Sequence, residues 1–256
     1  MNRTIGIVNQ KGGVGKTTTA VNLGACLAML GRRVLLVDID PQGNATTGLG
    51  VQKQGIGNDS YAVLLGESEA AIAVRTTEVE NLSIIPATQH LAGAEVELVT
   101  ALARETRLRR ALVNLEGQYD YVLIDCPPSL GLLTVNALVA SRQLLIPIQA
   151  EFYALEGLSQ LTAIIHRIRD ALNPELEILG VLVTMFDPRT RLAVEVLEEV
   201  SRYFPEHVFQ TQIPRNVRLS EAPSFGKPVV LFDVKSRGAQ AYIELARELD
   251  ALEAVR

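Results

Sequence analysis

The chain has 256 residues, 48% of them hydrophobic and 21% charged, which is enough to bury a substantial core and excludes general disorder. Its net charge of -5 excludes a surface coated in basic charge, so any nucleic-acid contact must come from a local patch. Cys26 and Cys126 stand far apart without metal-ligand spacing, which fits a reducing cytoplasm. Met1 runs almost directly into an apolar strand-like run, and the apolar stretches are broken well short of a span, so neither a signal peptide nor a membrane helix is expected.

Thr4–Asn9 reads as the first strand, and Gln10-Lys11-Gly12-Gly13-Val14-Gly15-Lys16-Thr17-Thr18 follows it directly and opens a helix over Thr17–Leu30. Glycines let backbone N–H groups approach phosphate oxygens, and the helix N-terminus adds positive potential. In such a loop Lys16 is expected to contact the β- and γ-phosphates of ATP, and the Thr17 hydroxyl to ligate Mg2+. The strict phosphate-loop pattern is departed from at Gln10, which stands where the first glycine belongs, and a second lysine, Lys11, starts the loop.

Val34–Asp38 is the next strand, an apolar run ending in Asp38 with Asp40 two residues on. In an extended chain these two carboxylates share a side, which directs both to the same edge. Asp40–Ser60 is glycine-rich and polar and reads as a functional loop. Leu82–Pro86 is predicted as a strand and Arg104–Leu115 as a helix. Tyr121–Asp125 is a second apolar strand ending in an acid, the shape expected of a segment that holds Mg2+ through Asp125. Leu132–Ala140 reads as a helix, Leu144–Ile148 as a strand, Leu155–Leu172 as a helix and Ile178–Thr184 as a strand. Leu192–Tyr203 reads as a helix, Val208–Gln212 as a strand and Gly238–Leu252 as the last helix.

Most of the strands are continuous in Val, Ile and Leu, which suits parallel strands covered on both faces. The βαβ rhythm predicts an α/β fold with a doubly wound, mostly parallel sheet. No repeat or linker suggests a boundary, so 1–256 is expected to form one domain. Open sheets of this kind bind ligands at the carboxyl ends of their strands, where the phosphate loop, Asp38, Asp40 and Asp125 all fall.

Lys11-Gly12-Gly13-Val14-Gly15-Lys16-Thr17-Thr18 resembles the deviant Walker A loop of the ParA/MinD superfamily. The resemblance implies that Lys11 reaches the phosphates bound by an opposite subunit, so that the protein dimerises around ATP. It also implies that Asp40 positions the attacking water, that Asp38 helps organise the loop and metal shell, and that Thr17, Asp40 and Asp125 surround Mg2+. A branched side chain at Gly12 is expected to obstruct the facing subunit and to disturb a backbone angle that suits glycine. Two longer strings are more specific. Asn9–Gly24 with Leu35–Gly50, and Ile213–Val229, closely resemble the signatures of chromosomal ParA proteins, often called Soj.

That resemblance spans essentially the whole chain. It implies a cytoplasmic, nucleoid-associated DNA-partitioning ATPase, whose dimer binds nonspecific double-stranded DNA and is released by a ParB-type centromere-binding partner that stimulates hydrolysis. It places the adenine near Met185, Pro214 and Asn216, and the DNA on Arg189 and Arg218, with Arg191, Arg215, Lys227 and Lys235 as possible additions. By charge alone the same region reads as a mixed, solvated surface. A MinD-like membrane-associated regulator is the alternative, but it needs a basic amphipathic tail, and Tyr242–Arg256 is acidic and reads as a docked helix. A metabolic enzyme or iron–sulfur carrier of the superfamily is a third reading, and the carrier's C-x-x-C is absent.

Overall fold

The structure is a computed structural model that describes residues 3–151, 154–205 and 207–255. Its strands are β1 (Arg3–Ile7), β2 (Val34–Asp38), β3 (Arg75–Thr76), β4 (Leu82–Ile85), β5 (Tyr121–Asp125), β6 (Gln143–Gln149) and β7 (Glu177–Thr184). They form one sheet in the order β3-β4-β2-β5-β1-β6-β7. Every pairing is parallel except that of the two-residue edge strand β3 with β4.

The helices are α1 (Lys16–Met29), α2 (Asn44–Gly48), α3 (Ser60–Leu65), α4 (Ala70–Ala73), α5 (Leu91–Glu97) and α6 (Arg107–Leu112), followed by α7 (Leu132–Ala140), α8 (Ala154–Ala171), α9 (Arg191–Tyr203), α10 (Val217–Glu221), α11 (Val229–Phe232) and α12 (Arg237–Val255). Alternate residues of each strand enter opposite cores. Leu35, Val37, Val122, Ile124, Leu144 and Ile146 pack with α7, α8 and α9 on one face. Val34, Leu36, Tyr121, Leu123 and Leu145 pack with α1 and α12 on the other. Burial on both faces explains why these strands read as continuous apolar runs instead of alternating ones.

Two expected elements differ. Val208–Gln212 is not a strand. His207 O accepts from Val181 N (2.6 Å) and Phe209 N donates to Val181 O (3.0 Å), but the next two amides, Gln210 N and Thr211 N, donate to the Glu248 carboxylate of α12 at 2.6 and 3.0 Å. The ladder with β7 is therefore interrupted until Ile213 N reaches Val183 O (2.9 Å). The helix expected over Arg104–Leu115 is reduced to α6, flanked by 3-10 turns at Arg104–Thr106 and Val113–Leu115. The Asn136 side chain inserts where the Leu108 N–H would meet the Arg104 carbonyl. It accepts from the first (3.1 Å) and donates to the second (2.8 Å), which breaks the helical ladder at that turn.

The last helix is docked, as its composition implies. Ala239, Ala241, Tyr242, Leu245, Ala246 and Leu249 are buried, and the Tyr242 hydroxyl lies 3.1 Å from the Thr19 hydroxyl of α1. Two of its acids serve this docking: Glu248 as above, and Asp250 through Arg32 and the Tyr121 hydroxyl. Among the described residues no helix is long and apolar enough to cross a membrane.

Candidate active site

The loop leaving β1 is pinned before its glycines begin. Asn9 Nδ2 donates to the Pro147 carbonyl of β6 (2.7 Å), and Asn9 Oδ1 accepts from Lys11 N (2.9 Å). Gly13 and Gly15 sit at φ +77° and +89°, where an L side chain is strained. Gly12 lies outside that region, and a Cβ there would meet nothing within 4 Å, so the strain expected at Gly12 belongs to its neighbours. Val14 is buried, and its carbonyl accepts from the Thr184 hydroxyl at the end of β7 (2.8 Å), which also lies 3.0 Å from the Ile148 carbonyl. Gly15 then opens α1 with no side chain capping it. The first amides of a helix lack helical partners, so those of Lys16, Thr17 and Thr18 present donors to an anion.

The two lysines of the loop are placed oppositely. Lys16 is 6% exposed, and its Nζ donates back across the loop to the Lys11 carbonyl (3.0 Å). Burial lowers its pKa, and the nearby carboxylates of Asp125 and Asp40 work against that shift. Lys11 has a side chain 44% exposed and lies at the rim, with its Nζ 2.7 Å from Glu151 Oε2.

The carboxylates converge through sheet register. Asp38 and Asp125 are direct neighbours in the parallel pair β2–β5, and both are fully buried. Asp38 organises the loop after β2. Its Oδ1 accepts from Asp40 N (3.2 Å), and its Oδ2 accepts from Thr46 N (2.9 Å) and the Thr46 hydroxyl (2.7 Å). Burial pushes Asp38 up to about 6, while the Thr46 bonds hold it down. Asp40 Oδ1 accepts from Gln42 N (2.9 Å). Asp125 differs, since neither of its buried oxygens finds a hydrogen-bond partner among the described residues. Burial, then Asp38 and Asp40, raise its pKa well above the usual carboxylate range. The Thr17 hydroxyl is near enough to favour the charged form but does not close a hydrogen bond.

An unpartnered buried carboxylate beside a threonine hydroxyl fits a divalent cation. Mg2+ commonly takes one or two protein oxygens and completes its shell with phosphates and water. Among the described residues no three His, Cys, Asp or Glu side chains converge as a cage. Cys126 is a buried packing residue whose thiol pKa is raised by burial, and Cys26 is buried in α1.

The second half closes the edge. Phe186 N donates to the Ile213 carbonyl (3.0 Å) and Phe186 pairs with Pro214, which brings Met185 and Pro214 together; Met185 holds the left-handed φ of +51°. The Asn216 side chain caps α10, accepting from Arg218 N (3.0 Å). A cavity of about 280 Å³ beside Pro214 is lined by Arg189, Arg215 and Arg237 with Asp187. Arg189 is 87% exposed and forks onto Asp187 at 2.7 and 2.9 Å, which holds that carboxyl at about 2. Arg218 pairs with Glu221 (2.8 Å) and Asp233 (3.3 Å). Sequence reasoning missed Asn9, Thr46, Thr184 and Glu151. Thr184 at the carboxyl end of an apolar strand was the one with a visible signal.

Comparison with known proteins agrees with this edge. The AAA domain family matches residues 2–178. The chain is 58% identical to the sporulation initiation inhibitor protein Soj of Bacillus subtilis, covering 98% of this chain and 99% of that protein. It is 56% identical to the chromosome partitioning protein ParA of Myxococcus xanthus, covering 96% and 87%. The chain belongs to the ParA/Soj family of chromosome-partitioning ATPases. Among solved structures, this ParA/Soj ATPase is similar to cobyrinic acid a,c-diamide synthase from Mycobacterium smegmatis with bound ADP and magnesium. The TM-score is 0.87 and the identity 40%, over all of this chain and 97% of that one. The identities of 58% and 56% to the chromosome-partitioning proteins exceed the 40% to that synthase.

Proposed function

We propose that this ParA/Soj ATPase binds Mg-ATP in the cradle Lys11–Thr18, dimerises two-fold around the nucleotide, and in that state binds double-stranded DNA without sequence preference. A ParB-type centromere-binding partner then stimulates hydrolysis and releases the dimer. The carrying observation is the opposite placement of the two loop lysines. Lys16 is enclosed with Asp40 and Asp125, whereas Lys11 stands at the rim, where a facing subunit could receive it.

Each residue then has a task. The loop amides and Lys16 bind the phosphates. Thr17 and Asp125 would hold Mg2+, which neutralises phosphate charge there. Asp40, on the loop fixed by Asp38 and Thr46, orients the attacking water beside that shell. Lys11 of each protomer offsets repulsion between the facing triphosphates. The Met185–Pro214 junction borders the adenine, with Asn216 next to it. Arg189 and Arg218 contact DNA phosphates with the guanidinium edges their acids leave open. A monomer carries few such contacts, and a two-fold dimer joins two sets rigidly, so binding gains from effective concentration.

The test compares DNA binding with no nucleotide, with ADP and with ATP. Binding should require ATP, weaken steeply with salt, and fall in an Arg189→Ala/Arg218→Ala variant that still dimerises. Binding independent of ATP, or unaltered in the double variant, would overturn the reading.

A further inference from the structure

The segment 215–237 differs from the rest of the chain. It carries five cations, Arg215, Arg218, Lys227, Lys235 and Arg237, against two acids, Glu221 and Asp233, within a protein of net charge -5. Both acids are engaged by Arg218, at 2.8 and 3.3 Å. This basic segment also exposes apolar surface. Phe225 is 64% exposed, and Val217, Leu231 and Val234 are exposed as well. Phe225 does not stand alone. Its ring stacks on Phe232 with centroids 4.9 Å apart and planes 30° apart, and the Arg218 guanidinium lies 6.0 Å from the centre of the Phe232 ring. The result is a supported series of guanidinium, inner ring and exposed outer ring.

The backbone holds this series rigidly. Gly226 at φ +63° follows Phe225 and abuts Gly50 at φ +74°, so closely that a Cβ on Gly226 would lie 2.8 Å from the Gly50 Cα. On the other side the buried Asn22 side chain accepts from Val229 N (2.7 Å) and donates to the Thr18 carbonyl at the start of α1 (2.7 Å). An exposed aromatic costs solvation free energy unless something covers it. Its setting selects the occupant, since cations around an apolar face match a polyanion with apolar edges between its charges. Duplex DNA has that composition, with phosphates flanking deoxyribose and base edges, and proteins that bind DNA without sequence preference insert apolar side chains between those edges.

We propose that Phe225, braced by Phe232 and Arg218, forms an apolar contact with the sugar and base edges of duplex DNA in the ATP-bound state. This rests on the DNA-binding reading above and adds to it a contact that phosphate neutralisation does not supply. The contact predicts a separation that charge alone does not give. Phe225→Ala should lower DNA affinity about tenfold at every salt concentration and leave the log–log salt slope unchanged. Arg218→Ala should lower both affinity and slope.

The chain contains no tryptophan, so Phe225→Trp places a single reporter at the contact. With Mg2+ and a non-hydrolysable ATP analogue, its emission should shift and quench along the same isotherm as the anisotropy of a fluorescein-labelled duplex. Anisotropy that rises while the emission of the introduced indole stays constant overturns the contact and leaves the DNA reading intact. So does wild-type affinity in Phe225→Ala. Loss of analogue-dependent dimerisation in both variants also overturns it, since Phe225 would then serve the dimer. An emission that answers a basic peptide but not DNA would assign the ring to a protein partner instead. Absence of any anisotropy change overturns the DNA reading and this contact together.

Discussion

Thr46→Val is the most informative single change outside the phosphate loop. The hydroxyl of Thr46 is wholly buried and does two things at once: it donates to Asp38 Oδ2 (2.7 Å) and accepts from Ala87 N (2.9 Å). Valine keeps the shape and removes both bonds. A hydrogen bond to a charged group contributes about 1.5–3 kcal/mol, and a buried amide left unpaired costs about 1–3 kcal/mol, so the expected loss is about 2.5–6 kcal/mol. That is a large share of the ~5–15 kcal/mol that holds a typical domain folded.

The loss should also depend on pH. The folded-state pKa of Asp38 is raised, so its favourable contribution is present at low pH and is lost as pH rises through about 6. The variant removes a donor that steadies the ionised form. The gap between wild type and variant should therefore be smaller near about pH 5 than near about pH 8. Denaturant unfolding without nucleotide at those two values measures this, and steady-state hydrolysis should show a fall in kcat larger than any change in KM, because the loop carrying Asp40 loosens. A gap below about 1 kcal/mol, or one independent of pH, would refute the placement of Thr46 as the fastening of this loop.

Asp40→Ala should leave ATP binding and dimerisation in place while abolishing turnover, so that the variant accumulates as an ATP dimer in size-exclusion chromatography; a monomer in ATP, or normal hydrolysis, would contradict the role. Gly12→Val should bind ATP with near-normal affinity by calorimetry yet remain monomeric by light scattering, because a side chain there meets nothing in its own subunit. Glu151→Gln should favour the ATP dimer by up to about fivefold per protomer, or ~30-fold in the dimerisation constant, in sedimentation, since it releases each Lys11 from an exposed pair of about 0–1 kcal/mol; a weakened dimer would mean that Glu151 itself belongs to the interface.

Much of this was legible in the residues because burial on both faces leaves a strong signature. Val34–Asp38, Tyr121–Asp125 and Leu132–Ala140 appear with the expected bounds, and the other main strands and helices are displaced by only a few residues, apart from the two that differ. What escaped depends on single side chains acting over long sequence distances. The ladder near Val208 is broken by Glu248, and the helix before β5 by Asn136; neither partner is near in sequence. The stretch Asp40–Ser60 read as loop because Asn44–Gly48 is short and poor in helix formers. It is helical where Asp38 gathers the Thr46 amide and hydroxyl, a tertiary cause that periodicity does not carry. Lys16 and Thr17 were visible through the glycine loop that precedes them, Asp125 as the acid that ends an apolar strand, and Asp40 through its place just after β2 together with the family resemblance. The ion pair of Lys11 with Glu151 was not.

The register of the sheet also explains why the nucleotide and its metal should arrive as a unit. β2 and β5 pair in parallel with Asp38 opposite Asp125, so two buried carboxyls sit on adjacent strand ends, and Asp40 adds a third nearby. Asp38 is balanced by Thr46 and the Asp40 amide, whereas Asp125 has only the charge of Lys16 and the nearness of Thr17. A triphosphate entering alone would bring more negative charge toward an acidic edge with one enclosed lysine, and would further oppose ionisation of Asp125, whose pKa burial already raises. A divalent cation reverses the sign of that contribution, because it meets the unpartnered carboxylate on one side and phosphate oxygens on the other. The acidic strand ends are thus expected to favour Mg-ATP over free ATP, and calorimetry of ATP binding with Mg2+ and with a chelator in its place should show much weaker binding in the second; equal affinity would refute the role given to Asp125.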